Sequence, residues 1–145
     1  MRALLLAAVL ALGAGPAAAQ LFGNQELLDP EKAFRIAARA LDARNVEVTF
    51  QIAEGYYMYR ERFSFATEAG RPLAGVEIPH GKIKEDPFFG KQETFRDFVR
   101  IRVPVSAGEA AKGSLTLKVT SQGCSDKGVC SIPQTQQVKV PLPRS

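Results

Sequence analysis

Short segments in which apolar and polar residues alternate recur along this chain, and they constrain its fold more than any other feature. The alternation covers residues 46–52, 99–105, 115–120 and 138–142. Because successive side chains of a strand point to opposite faces, each segment predicts a strand with one buried face. Gly and Pro residues separate the segments, and together they predict an all-β fold, an antiparallel sandwich, rather than alternating helices and strands.

Two further segments bear on the strand count. The aromatic run from Tyr56 to Phe65 is rich in residues that favour a pleated surface, and it predicts a second strand. The start of residues 29–41 is typical of a helix, with Pro30 after Asp29. From Phe34 onward, however, apolar residues alternate with arginines. We therefore favour a turn followed by a strand.

Residues 81–94 contain two adjacent phenylalanines, Phe88 and Phe89, bounded by Pro87 and Gly90. We interpret this segment as a loop. Apolar rings on a loop must find cover, either in the core below or on a surface over which the loop folds.

The first 20 residues have the pattern of a secretory signal peptide. Arg2 precedes an apolar run from Ala3 to Leu12, and three alanines at 17–19 follow it. We therefore expect a signal peptide over residues 1–19, cleavage near Ala19, export to the periplasm and one domain over residues 20–145. The apolar run is shorter than the roughly 20 residues that span a bilayer, and no later segment is long enough, so no membrane span is expected.

The charge distribution excludes one class of partner. The chain has 19 basic and 15 acidic residues, and they are spread along its length. No segment combines dense Lys and Arg with interleaved aromatic residues, so nucleic-acid binding is not expected.

Two cysteines, Cys124 and Cys130, are the only ones in the chain. In an oxidising compartment they are expected to pair. The pair is open to two interpretations, a structural staple or an exchangeable disulfide, and such a short loop stabilises a fold by only about 2 kcal/mol. A zinc site needs about four ligands, and the chain adds only His80, which we place in a turn. Neither a metal, a cofactor nor a hydrolase triad is expected.

Three motifs follow one another in an order that carries a resemblance. They are Gly55-Tyr56-Tyr57-Met58-Tyr59-Arg60, Glu85-Asp86-Pro87-Phe88-Phe89-Gly90-Lys91, and the segment from Gln122 to Cys130 with Pro133. From about Leu21 to Leu142 the chain resembles the N-terminal periplasmic domain of the thiol:disulfide interchange protein DsbD. Members of that family continue into a multi-helix membrane segment and a thioredoxin-like domain. The chain is therefore either a separate relative or part of such a protein.

The resemblance implies an immunoglobulin-like sandwich with its two cysteines on neighbouring strands beneath a cap loop. In that family a cap-loop phenylalanine covers the disulfide, and this role falls on Phe88. The alternative is that Phe88 only anchors the loop and that the two tyrosines are ordinary core rings. The departures from the family pattern are Ser131, Pro87 and Phe89. The expected site residues are Cys124, Cys130, Asp86, Phe88, Phe89, Tyr57 and Tyr59.

By resemblance, Cys130 forms the mixed disulfide with a partner protein and Cys124 resolves it. The implied activity is that of a protein-disulfide reductase. Electrons would come from a thioredoxin-like donor and pass to periplasmic disulfide isomerases or thioredoxin-like proteins of cytochrome maturation. The alternative is a non-catalytic β-sandwich binding module with a structural disulfide.

Overall fold

The computed structural model describes residues 26–144, so the expected signal peptide lies outside the described residues. The helical segments there are α1 (Pro30–Ala33), α2 (Ala107–Ala111) and one 3-10 turn (Arg60–Arg62). The strands are β1 (Phe34–Asp42), β2 (Asn45–Ile52), β3 (Tyr56–Tyr59), β4 (Ser64–Thr67), β5 (Lys82–Asp86), β6 (Gly90–Phe95), β7 (Phe98–Pro104), β8 (Ser114–Ser121), β9 (Gly123–Ser125), β10 (Val129–Cys130) and β11 (Gln134–Pro141).

Two antiparallel sheets enclose the main core. One has the order β1-β2-β7 and the other β11-β8-β4. The alternating residues of their strands point inward, and Val48, Phe50, Ile101 and Leu117 are fully buried between them. Each such side chain contributes about 1.5–3 kcal/mol through removal of apolar surface from water. The predicted antiparallel sandwich is confirmed.

A third sheet has the order β10-β9-β3-β6-β5, and its strands β9 and β3 are joined along the chain to β8 and β4 of the second sheet. The prediction of one strand from Tyr56 to Phe65 is wrong, because a 3-10 turn at Arg60–Arg62 divides that run. β3 pairs with β6 and β9, whereas β4 pairs with β8. The guanidinium of Arg60 donates hydrogen bonds to the carbonyls of Ile78 and Pro79, which holds the turn in place.

The segment after Asp29 forms one helical turn and then a strand, as predicted. The carbonyl of Asp29 accepts hydrogen bonds from the amides of Lys32 and Ala33, both at 2.9 Å. From Phe34 the chain pairs with β2 along its length. Pairing with β2 therefore overrides the helical propensity of the alanines in this segment.

The interpretation of residues 81–94 as a loop is wrong, because β5 and β6 form a hairpin there. Apart from the buried Asp86, charged residues of the edge strand β5 are exposed or partly exposed, and this removes the apolar alternation by which strands are predicted. Gly90 closes the turn with φ of 72°, a conformation that favours glycine. The short helix α2 was not predicted either; the Ser106 hydroxyl caps it by accepting from the Glu109 amide at 3.2 Å.

Within residues 26–144 no helix is both long enough and apolar enough to cross a membrane.

Candidate functional site

The two cysteines lie directly opposite each other on the β9-β10 hairpin. They form a disulfide, with their Cα atoms 3.9 Å apart. Cys124 is only 1% exposed, whereas Cys130 lies on the outermost strand of its sheet and is partly exposed. An incoming thiol therefore has easier access to one sulfur than to the other.

Gly123 sets how closely the cysteine strand approaches its surroundings. A Cβ atom at this position would lie 2.6 Å from the carbonyl oxygen of Tyr57 and would collide with the ring of Phe34. Only glycine allows β9 to lie this close to β3 and to Phe34. Gly123 belongs to the third sequence motif, but nothing in that motif indicates this role.

Tyr57 and Tyr59 project from the same face of β3, two residues apart, toward the disulfide. Tyr57 is directly opposite Cys124 in the strand register. Both tyrosines are buried, and their rings meet edge to face at 5.5 Å. Their hydroxyls both donate to Oδ2 of Asp86, at 2.5 Å from Tyr57 and 2.7 Å from Tyr59.

Asp86 ends β5 and is only 5% exposed. Its second oxygen, Oδ1, accepts hydrogen bonds from the backbone amides of Phe88 at 2.8 Å and Phe89 at 3.0 Å. Burial raises the pKa of this carboxyl group, but the hydrogen bonds from Tyr57, Tyr59 and the two amides outweigh that effect, and the pKa lies below its ordinary value. Asp86 is therefore a buried carboxylate that joins the tyrosines to the cap loop.

The hydroxyl oxygen of Tyr59 lies 2.9 Å from Sγ of Cys124 and 3.8 Å from Sγ of Cys130. Its single proton goes to the Asp86 carboxylate, the stronger acceptor. Burial and the hydrogen bond to Asp86 raise the pKa of Tyr59 far above its ordinary value. A neutral phenol oxygen backed by a carboxylate therefore faces Cys124.

The cap loop holds the two phenylalanines in different ways. Phe88 is 52% exposed, with its backbone amide bound to Asp86. Phe89 packs edge to face on Tyr59, with ring centroids 5.2 Å apart. The guanidinium of Arg62 lies 4.4 Å from the centroid of the Phe89 ring, a cation-π contact.

An ion pair that the sequence analysis did not predict fastens the turn between the cysteine strands. Arg96 donates to both carboxylate oxygens of Asp126, at 3.0 and 2.7 Å, and to the carbonyl of Tyr56 at 3.2 Å. The side-chain hydrogen bond from Arg96 lowers the pKa of Asp126. Cys124 and Asp126 were both in the quoted motif, but nothing local to that motif points to Arg96.

The seven expected site residues lie together at this end of the sandwich. His80, in contrast, is exposed and contacts Glu93 at 3.3 Å. In the part of the chain that the structure describes, no three His, Cys, Asp or Glu side chains are grouped to hold a metal ion.

Fold and site together define a disulfide-bearing, immunoglobulin-like β-sandwich domain. A family model described as the N-terminal region of the thiol:disulfide interchange protein DsbD matches residues 24–142. DsbD of Ralstonia nicotianae is 47% identical over 117 residues, which cover 79% of this chain and 19% of the relative.

Two solved structures have the same fold. The Neisseria meningitidis DsbD N-terminal domain in the reduced form superposes with a TM-score of 0.69 at 34% identity, covering 79% of this chain and 90% of that chain. A complex between the DsbD and PilB N-terminal domains of the same organism gives a TM-score of 0.64 at 33% identity, covering 79% and 87%.

The chain therefore belongs to the family of DsbD N-terminal domains. It spans about a fifth to a quarter of the length of the curated relatives that it matches. The immunoglobulin-like fold implied by the resemblance is confirmed.

Proposed function

We propose that this chain is a periplasmic thiol-disulfide exchange domain that passes electrons from a thioredoxin-like donor to disulfide-containing acceptor proteins. The observation that carries the proposal is a disulfide with one buried sulfur, Cys124, and one partly exposed sulfur, Cys130. Membership of the DsbD family supports it.

In the electron-accepting direction, a donor thiolate attacks Sγ of Cys130 in line with the disulfide. The Cys124–Cys130 bond breaks, and Sγ of Cys124 leaves with the electron pair and takes up a proton. The second donor thiol then attacks the donor sulfur of the mixed disulfide and releases Cys130. Two donor thiols have become a disulfide, and the disulfide of this chain has become two thiols.

In the electron-donating direction, the thiolate of Cys130 attacks the acceptor disulfide, and Cys124 resolves the mixed disulfide by attacking Cys130. Tyr59 bears on this second step, because its oxygen accepts a hydrogen bond from the Cys124 thiol. The Asp86 carboxylate behind Tyr59 keeps Cys124 protonated until the attack. Because a raised thiol pKa lowers the thiolate fraction more than it raises nucleophilicity, resolution begins only once the Cys124 thiol has released its proton.

We assign the covering role in the cap loop to Phe88. Its ring is half exposed while Asp86 fixes the backbone beside it, so the ring moves at low cost. Phe89, held by Tyr59 and Arg62, is the fixed part of the loop. The cap excludes small thiols and opens when a protein partner docks.

The physiological setting follows the family. The expected signal peptide over residues 1–19 directs the domain over residues 20–145 to the periplasm. Its acceptors are periplasmic disulfide isomerases or thioredoxin-like proteins of cytochrome maturation, and its activity is that of a protein-disulfide reductase. A relative of this domain from Neisseria meningitidis forms a complex with the N-terminal domain of PilB, which supports a protein as the partner.

Single-cysteine variants test the exchange proposal. A thioredoxin with one active-site cysteine is converted with dithiobis(nitrobenzoate) to its mixed disulfide with thionitrobenzoate and is then mixed with each reduced variant. Cys124→Ser, which retains the accessible thiol, should accumulate the mixed disulfide. Cys130→Ser should form almost none. Equal trapping by both variants would contradict the assigned roles, and trapping by neither would indicate a structural staple.

The cap assignment is tested by the rate at which glutathione attacks the oxidised domain. Phe88→Ala should accelerate this reaction, because it uncovers the disulfide. Phe98→Ala is the matched control, since Phe98 is also 52% exposed but lies on β7 of the opposite sheet. If both variants react at the wild-type rate, Phe88 is not a cover.

A further inference from the structure

A cavity of about 230 Å³ lies against the disulfide and plays no part in the mechanism described above. Its walls include Leu27, Leu28, Phe34, Tyr56, Val129 and Cys130, and we call it the leucine pocket. Tyr56 leaves β3 on the face opposite that of Tyr57 and Tyr59. The pocket is therefore separate from the tyrosine cluster and does not involve cap-loop residues 86–89.

The outer wall of the leucine pocket is held in place. The amide of Leu28 donates to the hydroxyl of Tyr56 at 2.7 Å. The ring of Tyr56 in turn meets Phe34 edge to face at 5.8 Å. The helical turn α1 begins two residues after Leu28. The segment that contains Leu28 is therefore held by Tyr56 and by the start of α1.

The chemistry of the pocket is apolar. None of the described residues that line it carries a charge. Val129, which lines the pocket, is 49% exposed, and Ile132, two residues beyond Cys130 in the chain, is 76% exposed. An apolar cavity of about 150 Å³ holds a benzene molecule, so this one has room for a branched aliphatic or aromatic side chain.

The exchange reaction determines what reaches this pocket. A partner sulfur must come within about 2.0 Å of the Cys130 sulfur to form the mixed disulfide. The residues next to the partner cysteine have Cα atoms only about 3.8 Å from its own. They therefore lie within reach of β10, the edge strand of its sheet, whose Val129 and Cys130 line the pocket.

We propose that the leucine pocket is a specificity subsite that takes an apolar side chain adjacent to the reactive cysteine of the protein partner. This inference rests on the proposed exchange function, because only a partner attacking Cys130 is brought there. Burial of one such side chain is worth about a tenfold gain in rate or more. The pocket thus distinguishes protein partners by the residue beside their cysteine.

Blocked cysteine peptides provide the test. Two pairs are used, with either Leu or Asn before the cysteine in one pair and after it in the other, and glutathione serves as a reference thiol. The oxidised domain is mixed with each thiol, the reaction is quenched with acid, and the mixed disulfide is quantified by mass spectrometry. In at least one pair, the Leu peptide should react about tenfold faster than the Asn peptide.

Substitutions at two residues that line the leucine pocket show whether the pocket causes the preference for Leu. Leu28→Asn and Val129→Asn should each bring the ratio of the two rates close to one. Leu41→Asn is the matched control, since Leu41 and Leu28 are both 43% exposed and Leu41 lies in β1 away from the pocket. This control should retain the preference.

The contrary outcomes are distinct. If glutathione and all peptides fail to form a mixed disulfide even with the Phe88→Ala domain, whose disulfide is uncovered, the exchange function itself is wrong. If they react but Leu and Asn peptides do so equally, or if both wall variants keep the preference, the pocket inference alone is wrong. A dimer in sedimentation that Leu28→Asn dissociates would also overturn it, because the occupant would then be a second copy of the chain.

Discussion

The main core and the side chains that surround Cys124 are both buried, yet they are built from opposite kinds of side chain. The main core contains aliphatic and phenylalanine side chains such as Val48 and Phe50. The disulfide cluster packs Tyr57, Tyr59 and Cys124 separately from it, around a buried carboxylate. The main core depends on the volume of its side chains. The disulfide cluster depends on hydrogen bonds whose donors and acceptors must all be present.

This difference separates stability from reactivity. A non-directional apolar core tolerates substitutions of similar volume, and it provides the rigid support on which the hairpin of cysteines is held. Buried polar groups cost free energy unless each is paired. The four hydrogen bonds to Asp86 satisfy this requirement. We therefore expect substitutions in the two regions to affect different measurements.

The largest effect on stability should come from the main core. Phe50→Ala should lower the free energy of unfolding by about 3–5 kcal/mol, because it removes a fully buried ring and leaves a cavity. Urea unfolding of the oxidised domain measures this loss. The rate of mixed-disulfide formation at low temperature, where the variant stays folded, should match the wild type. A changed rate in the folded variant would show that the two regions are coupled.

Gly123→Ala should have the next largest effect. It should change both the free energy of unfolding and the rate of mixed-disulfide formation. The added methyl group would meet the ring of Phe34 and the carbonyl of Tyr57, and such overpacking costs about 1–3 kcal/mol. We also expect slower exchange, because the strand that carries Cys124 must shift. Gly128→Ala is a useful comparison, since a Cβ there meets nothing within 4 Å although φ is 84°. Equal exchange rates in the two variants would contradict the role given to close packing.

Asp86→Asn should change reactivity more than it changes stability. The amide still accepts from the loop amides but no longer offers a charge to the tyrosines, so we expect a loss of about 1–2 kcal/mol. With the negative charge gone, the pKa of the Cys124 thiol should fall. The ultraviolet absorbance of the thiolate, recorded against pH in a Cys130→Ala background, measures that shift. An unchanged thiol pKa would rule out the influence of Asp86 through Tyr59.

The same substitution predicts a pH dependence of stability. Because folding lowers the pKa of Asp86 below its ordinary value of 3.8, the carboxylate stabilises the fold above that pH. This contribution is lost as the pH falls through the lower pKa of the folded state. The difference in unfolding free energy between wild type and Asp86→Asn should therefore be constant near neutrality and shrink below about pH 4. If the difference in unfolding free energy instead grows as the pH falls, the Asp86 carboxylate does not stabilise the fold.

The sequence predicts the main core better than it predicts the site. Alternation identifies β2, β7, β8 and β11, because each buries one face against the opposite sheet. Charged residues on the β5-β6 hairpin interrupt the apolar alternation that would predict its strands. The turn at Arg60–Arg62 has no periodic pattern that would predict it. The site residues came from motif resemblance. The bond from Tyr59 to Asp86 joins residues 27 positions apart, and no local pattern encodes such a contact.

The smallest expected effect concerns the ion pair that joins the cysteine hairpin to β3. Both side chains of the Arg96–Asp126 pair are nearly half exposed, so solvent screening limits its contribution to under about 1 kcal/mol. Arg96→Lys keeps the charge but loses the bidentate hydrogen bonding to Asp126 and the hydrogen bond to the carbonyl of Tyr56. We expect little change in urea unfolding but faster amide hydrogen exchange in the hairpin around Cys124 and Cys130.

A double-mutant cycle with Asp126→Asn isolates this pair. Lys112→Gln with Glu109→Gln, an ion pair at α2 with an exposed lysine, is the control cycle. The hydrogen-exchange effect of Arg96→Lys should be smaller when Asp126 is already replaced, because only the hydrogen bond to the Tyr56 carbonyl then remains to be lost. It should also weaken at high salt. If the two single substitutions are additive, the hairpin is held by its backbone pairing and by Gly123 alone, and the polar region needs no ion pair to position its sulfurs.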